Sequence, residues 1–427
     1  MVRVGVNELC YVDGQAWSDI YGQRPGQGQM DKADNTVIEG FGAVNMIGAN
    51  VKDHTRCRRL MAHAFSDKAL RQQEPLITQY VDLLMQRLRE HSGEKVDLTA
   101  WFNYATFDLV GDLAFGEPFN CLKDSRYHPW ISLVFSNLKM LVYGSAAARI
   151  PGMSKLLIKL APKKVVEASK QHVELCKRQA NKRIAEKTDR PDFMSYILTH
   201  NDKETGMTVP EIQANAYVVI IGGSETTATL LSGATYYLLR NPEVMEKLKT
   251  DIRSSFKSEK DITFATVSQL PYLLAVLNET LRIYPPVAAK LPRVVPAEGA
   301  IVDGRFVPGG TWVSVCHWAA YHSPHNFRDP DKFVPERWMG DPRYDGDKVD
   351  AWQPFSFGPR NCIGRNLAYM EMRLILARLV WGFDLELFEE SQGWAERQKV
   401  FILWDKGPLW VKLRDVEREK NKESGFE

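Results

Sequence analysis

The sequence feature that most constrains this chain is a cysteine between two glycines, placed directly before a long helix. Cys362 lies between Gly358 and Gly364. An amphipathic run predicts a helix from Arg365 to about Trp381. Oriented N–H groups at a helix N-terminus lower the pKa of a cysteine thiol, and the glycines let the backbone pass close to a large flat group. We therefore interpret Cys362 as a metal ligand.

Two neighbours of the cysteine support this interpretation. Phe355 can cover the sulfur on one side, and Arg360 is placed to meet an anionic group beside the metal. These features suit a haem held by a cysteine thiolate, which pushes electron density onto the iron and favours O–O cleavage. The alternative is that Cys362 only packs in the core, since free cysteines are among the most buried residue types.

Length and composition exclude several classes of protein. The chain has 427 residues, 44% of them hydrophobic and 25% charged, and a formal net charge of +2. This charge gives no indication of nucleic-acid binding. The six cysteines include no C-x-x-C pair, which favours a reducing compartment over a disulfide framework. Without a linker or repeat, we predict one domain over residues 1–427, with a charged, disordered tail at 414–427.

Hydrophobic periodicity predicts a mainly helical chain with a few short strands. Helices are predicted over residues 16–21, 75–89, 98–115, 165–187, 211–240, 243–256 and 272–284. Two hairpins are predicted, from residues 2–6 with 9–12 and from residues 301–307 with 311–316. Two further β-like runs, 400–404 and 409–413, flank a turn at 405–408, and residues 22–48 are predicted to form a loop.

The stretch from Phe355 to Gly364 matches F-x-x-G-x-R-x-C-x-G and resembles the haem-binding loop of the cytochrome P-450 family. Fungal secondary-metabolite members of the isotrichodermin hydroxylase type look most similar. The resemblance implies a mainly α fold, with a large helical domain and small β-sheets. It also implies haem b as the cofactor, with the Cys362 thiolate as axial ligand.

A second motif lies in the middle of the helix predicted over residues 211–240. Two glycines inside a helix cost ~1 kcal/mol each relative to alanine, so Gly222 and Gly223 need a reason. The segment G-G-S-E-T-T resembles the family's [AG]-G-x-[DE]-T-[TS], where this helix passes over the haem and opens locally. The resemblance implies that Thr226 hydrogen-bonds dioxygen at the iron and that Glu225 helps to relay protons. The alternative is a packing glycine pair beside a solvent-facing acid.

Two further motifs concern structure rather than chemistry. Glu279 and Arg282 match E-x-x-R, and their spacing places both charges on one helix face. Alone this motif is weak, because such pairs are common on any helix. Together with Arg337 in a later P-E-R-W segment, it resembles the family's structural triad. The three residues are therefore expected to brace the cysteine loop.

The resemblance also assigns basic residues to the haem propionates. His54 and Arg58 share one face of a predicted helix, where the family often has W-x-x-x-R, so His54 stands where Trp is commoner. Arg293, in a predicted strand, and Arg360 complete the expected set. The alternative for the first two is an ordinary surface helix with several cations.

The implied activity is haem-dependent monooxygenation. One oxygen atom of O2 would enter a C–H or C=C bond of a hydrophobic small molecule, and the other would leave as water. A terpenoid or polyketide intermediate of fungal secondary metabolism is the expected substrate class. The turn at 405–408 would point into its pocket. Peroxygenase or nitric oxide reductase chemistry, a rearranging isomerase and a truncated haem-free product stay open as alternatives, although Thr226 disfavours the isomerase.

Electrons are expected from NADPH through a separate cytochrome P-450 reductase, with cytochrome b5 as a further donor. The reason is that no G-x-G-x-x-G follows a strand and opens a helix. Arg56 and Arg59 are candidates for attracting that acidic partner.

No window reaches the ~18 uninterrupted apolar residues that a spanning helix needs. Full-length relatives carry an N-terminal anchor and a first helix, so both are expected to be missing here. The expected location is the cytoplasmic side of the endoplasmic reticulum membrane, with peripheral membrane contact.

Overall fold

The computed structural model describes residues 1–24, 26, 28–33, 41–128, 130, 139, 142–144, 146–147, 163–186, 188, 190–201 and 205–416. Most of these residues are helical. The helices are α1 (Gly14–Tyr21), α2 (Val51–Ala62), α3 (Asp67–Glu90), α4 (Leu98–Phe115), α5 (Cys121–Asp124), α6 (Lys163–Ala185), α7 (Phe193–Thr199), α8 (Val209–Arg240), α9 (Pro242–Ser255), α10 (Phe264–Val267), α11 (Pro271–Ile283), α12 (His317–Tyr321) and α13 (Arg365–Gly382).

The strands form four small sheets in the described part of the chain. They are β1 (Val2–Gly5), β2 (Glu8–Tyr11), β3 (Asp31–Lys32), β4 (Lys95–Asp97), β5 (Arg293–Val294), β6 (Ala300–Val302), β7 (Arg305–Val307), β8 (Trp312–Val315), β9 (Phe383–Leu387), β10 (Lys399–Phe401), β11 (Leu403–Asp405) and β12 (Trp410–Asp415). The largest sheet has the order β1-β2-β8-β5-β3, and another has the order β4-β12-β9. β6 with β7, and β10 with β11, form separate hairpins.

The long helix α8 is the centre of the helical part. It begins with a capping box, in which Thr208 and Glu211 each bond the other's backbone N–H. Nearly all of α4 is buried, and α8 packs along it. The cysteine helix α13 and the helix α11 also pack against α8. The chain thus buries α4 and packs α8 against both α4 and the cysteine helix.

Most predicted helices agree with the structure to within two or three residues, but α3 does not. The helix was predicted to begin at Pro75, whereas it begins at Asp67. Ser66 caps it by accepting from the Ala69 N–H at 3.3 Å, and Pro75 lies inside the helix.

The predicted hairpin of residues 301–307 with 311–316 is wrong. β6 pairs instead with β7 within the first of these runs, around a turn at Asp303 and Gly304, both of which have positive φ. A residue pair that tolerates positive φ favours such a tight hairpin turn. The second run becomes β8, which pairs in parallel with β2 and antiparallel with β5.

The C-terminal prediction also needs correction. The run from 400 to 404 contains a hairpin of its own, with Ile402 at φ 69° between β10 and β11. Arg414 and Asp415 belong to β12 and pair with β9, so the predicted tail begins too early. Residues 34–40 and 417–427 lie outside the described residues, as do most of residues 131–162. Within the described ranges, no helix combines the length and apolar character needed to cross a bilayer.

Candidate functional site

The loop before α13 holds Cys362 in a fixed position. The Cys362 N–H donates to the Phe355 carbonyl at 2.8 Å, which closes the loop. Gly358 has φ +73°, and a Cβ there would lie 2.1 Å from the Tyr21 carbonyl oxygen, so a larger residue does not fit. The Phe355 ring packs against Tyr369 with ring centroids 5.2 Å apart. Gly358 and Phe355 therefore determine the conformation of this loop.

The Cys362 thiol is accessible although protein surrounds it on most sides. Burial raises the pKa of the thiol above its ordinary value of 9.0, while the Gly364 N–H and the charges of Arg58 and Arg365 lower it. The predicted lowering by the helix N-terminus is therefore present but is outweighed by burial.

Five basic side chains from four parts of the chain, one of them this loop, converge here. They are Lys32, His54, Arg58, Arg293 and Arg360. β3 and β5 place Lys32 directly opposite Arg293, and α2 carries His54 and Arg58. The sheet and α2 thus bring together predicted residues that are far apart in sequence.

The pKa values of these groups reflect their crowding. Burial, followed by the charges of Arg360 and Arg58, lowers the pKa of His54 to about 3. Burial, Arg293 and Arg360 lower the pKa of Lys32 to about 7. Burial is also the largest cause of the lowered pKa of Arg293, about 10, and Arg360 contributes. Like charges this close are unfavourable unless an anion lies among them.

Several buried nitrogens of this cluster have no hydrogen-bond partner among the described residues. Arg360 donates through one terminal nitrogen to the Ala49 carbonyl at 2.8 Å, but its Nε and its other terminal nitrogen are buried without partners, as is His54 Nδ1. Arg58 is different, because it donates to the backbone and side-chain oxygens of Asn361 at 2.6 and 2.5 Å. Arg58 therefore also braces the cysteine loop.

The two adjacent glycines of the α8 motif have different surroundings. A Cβ on Gly223 would lie 2.9 Å from Val110 Cγ2, so this glycine permits close packing on α4. A Cβ on Gly222 would meet nothing within 4 Å. The helix is continuous here, and Thr226 Oγ1 donates to the Gly222 carbonyl at 2.6 Å, so no break corresponds to the predicted local opening.

Glu225 is not free in this structure. It is fully buried, and it forms an ion pair with Lys406, which follows β11. Thr229 Oγ1 also donates to Glu225 Oε1, at 3.2 Å. The alternative of a solvent-facing acid is therefore wrong.

The three residues of the predicted triad meet in the structure. Arg282 donates to both Glu279 oxygens at 2.8 and 2.9 Å, and Arg337 Nε lies 3.1 Å from Glu279 Oε2. Backbone Val334 N–H and Trp338 Nε1 also donate to Glu279, each at 2.9 Å. The remaining arginine N–H groups bind carbonyls of the segment before the cysteine loop and the carboxylate of Asp347.

Comparison with known proteins identifies the family. The cytochrome P-450 family model matches residues 23–412. The chain is 50% identical to cytochrome P-450 monooxygenase astA of Talaromyces wortmannii, over 97% of this chain and 84% of that protein. It is 46% identical to aclL of Aspergillus oryzae, over 97% and 85%, and 43% identical to lcsI of Purpureocillium lilacinum, over 98% and 82%. The chain belongs to the cytochrome P-450 monooxygenase family.

The predicted family, the mainly helical fold and the haem-dependent monooxygenase class are thereby confirmed. Cytochrome P-450 enzymes hold haem through a cysteine thiolate. The residues of this chain fit such a group, because an accessible cysteine lies beside buried arginine N–H groups that have no acceptor in the part of the chain that the structure describes. The carboxylates of a haem would supply those acceptors.

Sequence reasoning missed three residues of this P-450 site. Lys32 lies in the stretch predicted as a loop, and nothing in the sequence marks its two-residue strand. Lys406 was only named within a turn, without a partner. Glu371, on α13, is 1% exposed, and burial raises its pKa to about 8, whereas a hydrogen bond with Thr227 lowers it. Glu371 lies four residues after Leu367 and three before Leu374, and this helical spacing was a readable signal that Glu371 shares their buried face.

Proposed function

We propose that this P-450 binds haem b, with Cys362 Sγ as axial ligand and with Lys32, His54, Arg293 and Arg360 around the propionates. The observation that carries the proposal is the pair of buried Arg360 nitrogens without partners beside an accessible thiol. Arg58 supports the site in a second way, by fixing Asn361 next to the ligand. We further propose that residues 1–427 form one domain.

A thiolate-ligated haem, when bound, supplies the activation of dioxygen by which one oxygen atom enters a C–H or C=C bond. Phe355 shields one side of the cysteine loop, where its ring packs on Tyr369. Gly222 leaves room on α8 beside the Thr226 hydroxyl, so that this hydroxyl can exchange hydrogen bonds with a bound reactant. Glu225, one residue away, holds a carboxyl group for proton handling.

The triad of Glu279, Arg282 and Arg337 has no free donor to offer a substrate. Its N–H groups bind carbonyls between residues 321 and 332 and the carboxylates of Glu279 and Asp347. We assign it to the assembly of the segment that leads into the cysteine loop.

NADPH–cytochrome P-450 reductase is the proposed electron donor, with cytochrome b5 as a further one. Arg59 is exposed on α2 and suits an acidic partner. Arg56 suits it less well, because it pairs with Glu211 and Asp53. The proposed substrate is a hydrophobic terpenoid or polyketide intermediate of fungal secondary metabolism, and the proposed location is the cytoplasmic side of the endoplasmic reticulum membrane.

The reduced, carbon monoxide-bound absorption spectrum tests the ligand assignment. We expect a red-shifted Soret band for the chain and its loss in Cys362→Ser. Cys316→Ser is the matched control, because Cys316 is a half-buried thiol in another part of the fold, and this variant should keep the band. A red-shifted band in Cys362→Ser would contradict the proposal.

A further inference from the structure

A buried ion pair joins the β10–β11 hairpin to the middle of α8. Lys406 Nζ contacts Glu225 Oε1 and donates to Thr229 Oγ1 at 2.7 Å. The two charged side chains are 2% and 0% exposed. Burying a lysine and a glutamate removes both from water at a considerable cost, so an ordinary surface turn would not place them here.

The hairpin is anchored independently of this pair. Trp404 Nε1 donates to the Pro285 carbonyl at 2.8 Å, and Asp405 forms an ion pair with Lys139 at 2.7 Å. Both partners of the latter pair are about 40% exposed, at 40% and 38%. The turn therefore has other contacts to hold it in place, and the insertion of Lys406 calls for a separate explanation.

The acid of the pair directly precedes Thr226, the residue assigned to proton handling. Successive residues of an α-helix are rotated by about 100°, so Glu225 and Thr226 point in different directions. Thr226 Oγ1 bonds Gly222, whereas Glu225 Oε1 contacts Thr229 and Lys406. The second oxygen, Glu225 Oε2, is buried without a partner in the described structure. It is thus the carboxylate oxygen that remains available.

We propose that Lys406 is a positioning residue for Glu225. The ammonium keeps the carboxylate ionised and holds Oε1 against Thr229, which leaves Oε2 as the atom that handles protons. This inference rests on the proposed roles of Thr226 and Glu225 and adds a third residue, supplied by the hairpin, to them.

The charges around the pair support this role. Burial alone lowers the pKa of Lys406 to about 7, whereas the adjoining carboxylate favours its ammonium form. The next acid along this face of the site, Glu371, contacts Thr227 rather than the pair, and Asp405 contacts Lys139. Without Lys406, Glu225 would have no cation beside it among the described contacts, and a buried carboxyl in that position becomes protonated.

Infrared spectra of the haem-loaded enzyme test the protonation of Glu225 apart from activity. Lys406→Met should add one carboxylic acid C=O band to the parent spectrum. The band should be absent from Lys406→Arg, which keeps a cation, and from the double variant Lys406→Met/Glu225→Gln. Lys139→Met, which removes the other lysine contact of the hairpin, should leave the spectrum unchanged.

Turnover with the reductase gives the second readout. Lys406→Met should lower the product formed per NADPH at least about threefold and raise peroxide release, with substrate KM changed less than twofold. Glu225→Gln and the double variant should match it, because the residues act as one unit. Lys406→Arg should restore most of the coupling, and Lys139→Met should behave like the parent.

The outcomes separate this inference from the function on which it rests. If Thr226→Ala uncouples turnover while Lys406→Met neither uncouples it nor adds the infrared band, the role of Lys406 is wrong and the role of Thr226 stands. If Thr226→Ala stays fully coupled, the proton-handling proposal itself is wrong. If Lys406→Met does not fold, the double variant, which leaves no unpaired buried charge, still shows whether coupling is lost.

Discussion

The arginines of the triad and the arginines of the basic cluster differ in their hydrogen bonds. In the triad, both Glu279 oxygens and the N–H groups of Arg282 find protein partners. In the basic cluster beside Cys362, two nitrogens of Arg360 and one of His54 find none. The triad is buried and the basic cluster is buried or half-buried, and apart from Lys32 both consist of residues that the sequence motifs predicted.

This difference in hydrogen bonding distinguishes arginines that support the fold from arginines that bind a ligand. A buried arginine with every donor satisfied stabilises the segment that it contacts, and replacing its partner leaves an uncompensated charge. Burying an arginine whose N–H groups have no acceptor, close to other cations, is energetically unfavourable. An anionic ligand that accepts those hydrogen bonds would explain such an arginine. By this criterion we propose that the triad maintains the fold and that the basic cluster binds haem.

The largest expected effect is on the triad side of this comparison. Glu279→Ala leaves two buried arginines without their carboxylate, and we expect the free energy of unfolding to fall by about 3–5 kcal/mol. Chemical denaturation of the haem-free and haem-loaded chains measures this.

Glu386→Ala is the matched control, because it removes a carboxylate from Arg414 in a pair whose side chains are 65% and 64% exposed. An exposed pair contributes ~0–1 kcal/mol, so this variant should be close to the parent. Equal effects of Glu279→Ala and Glu386→Ala would remove the distinction between the two kinds of cluster.

A smaller effect is expected from pH on the basic side. The folded chain lowers the pKa of Lys32 from 10.5 to about 7, through burial, Arg293 and Arg360. Between these values the unfolded chain binds more protons at Lys32 than the folded chain does. The stability of the haem-free chain therefore rises with pH from about 7 towards 10 at this residue.

Lys32→Met should remove that contribution, so its unfolding free energy should rise less with pH than that of the parent. Lys52→Met changes an exposed lysine on α2 and should keep the parental slope. Denaturation midpoints measured from pH 7 to 10 make the comparison. Parallel slopes for the parent and Lys32→Met would show that Lys32 is not crowded by the arginines.

The sequence predicted those parts of the molecule in which local pattern and chemistry agree. The bounds of α4 match the prediction, because its apolar residues and the glycine after Phe115 mark both its length and its end. The cysteine loop was predicted because glycine, arginine and cysteine each have a distinct requirement at a fixed spacing. The triad was predicted through a family motif and not through its charges alone.

The parts that were missed depend on pairing between distant segments. Lys32 enters the basic cluster only because a two-residue strand pairs with β5. Lys406 reaches Glu225 because β10 and β11 turn at Ile402, a residue that seldom has positive φ. The hairpin of β6 and β7 was missed because its turn lies inside a run predicted as a single strand. The contacts of Lys32 and Lys406 have no local sequence signal, whereas the Asp303-Gly304 pair was a readable signal for the third, a tight hairpin.

The most direct test of the comparison is a haem titration of Arg360→Met, together with denaturation of the same variant without haem. We predict that haem affinity falls about tenfold, a loss of ~1.4 kcal/mol, while the haem-free chain is as stable as the parent or more stable, because a buried charge with idle donors has been removed. Unchanged haem affinity combined with a less stable haem-free chain would contradict the account, since Arg360 would then be a structural residue like Arg282.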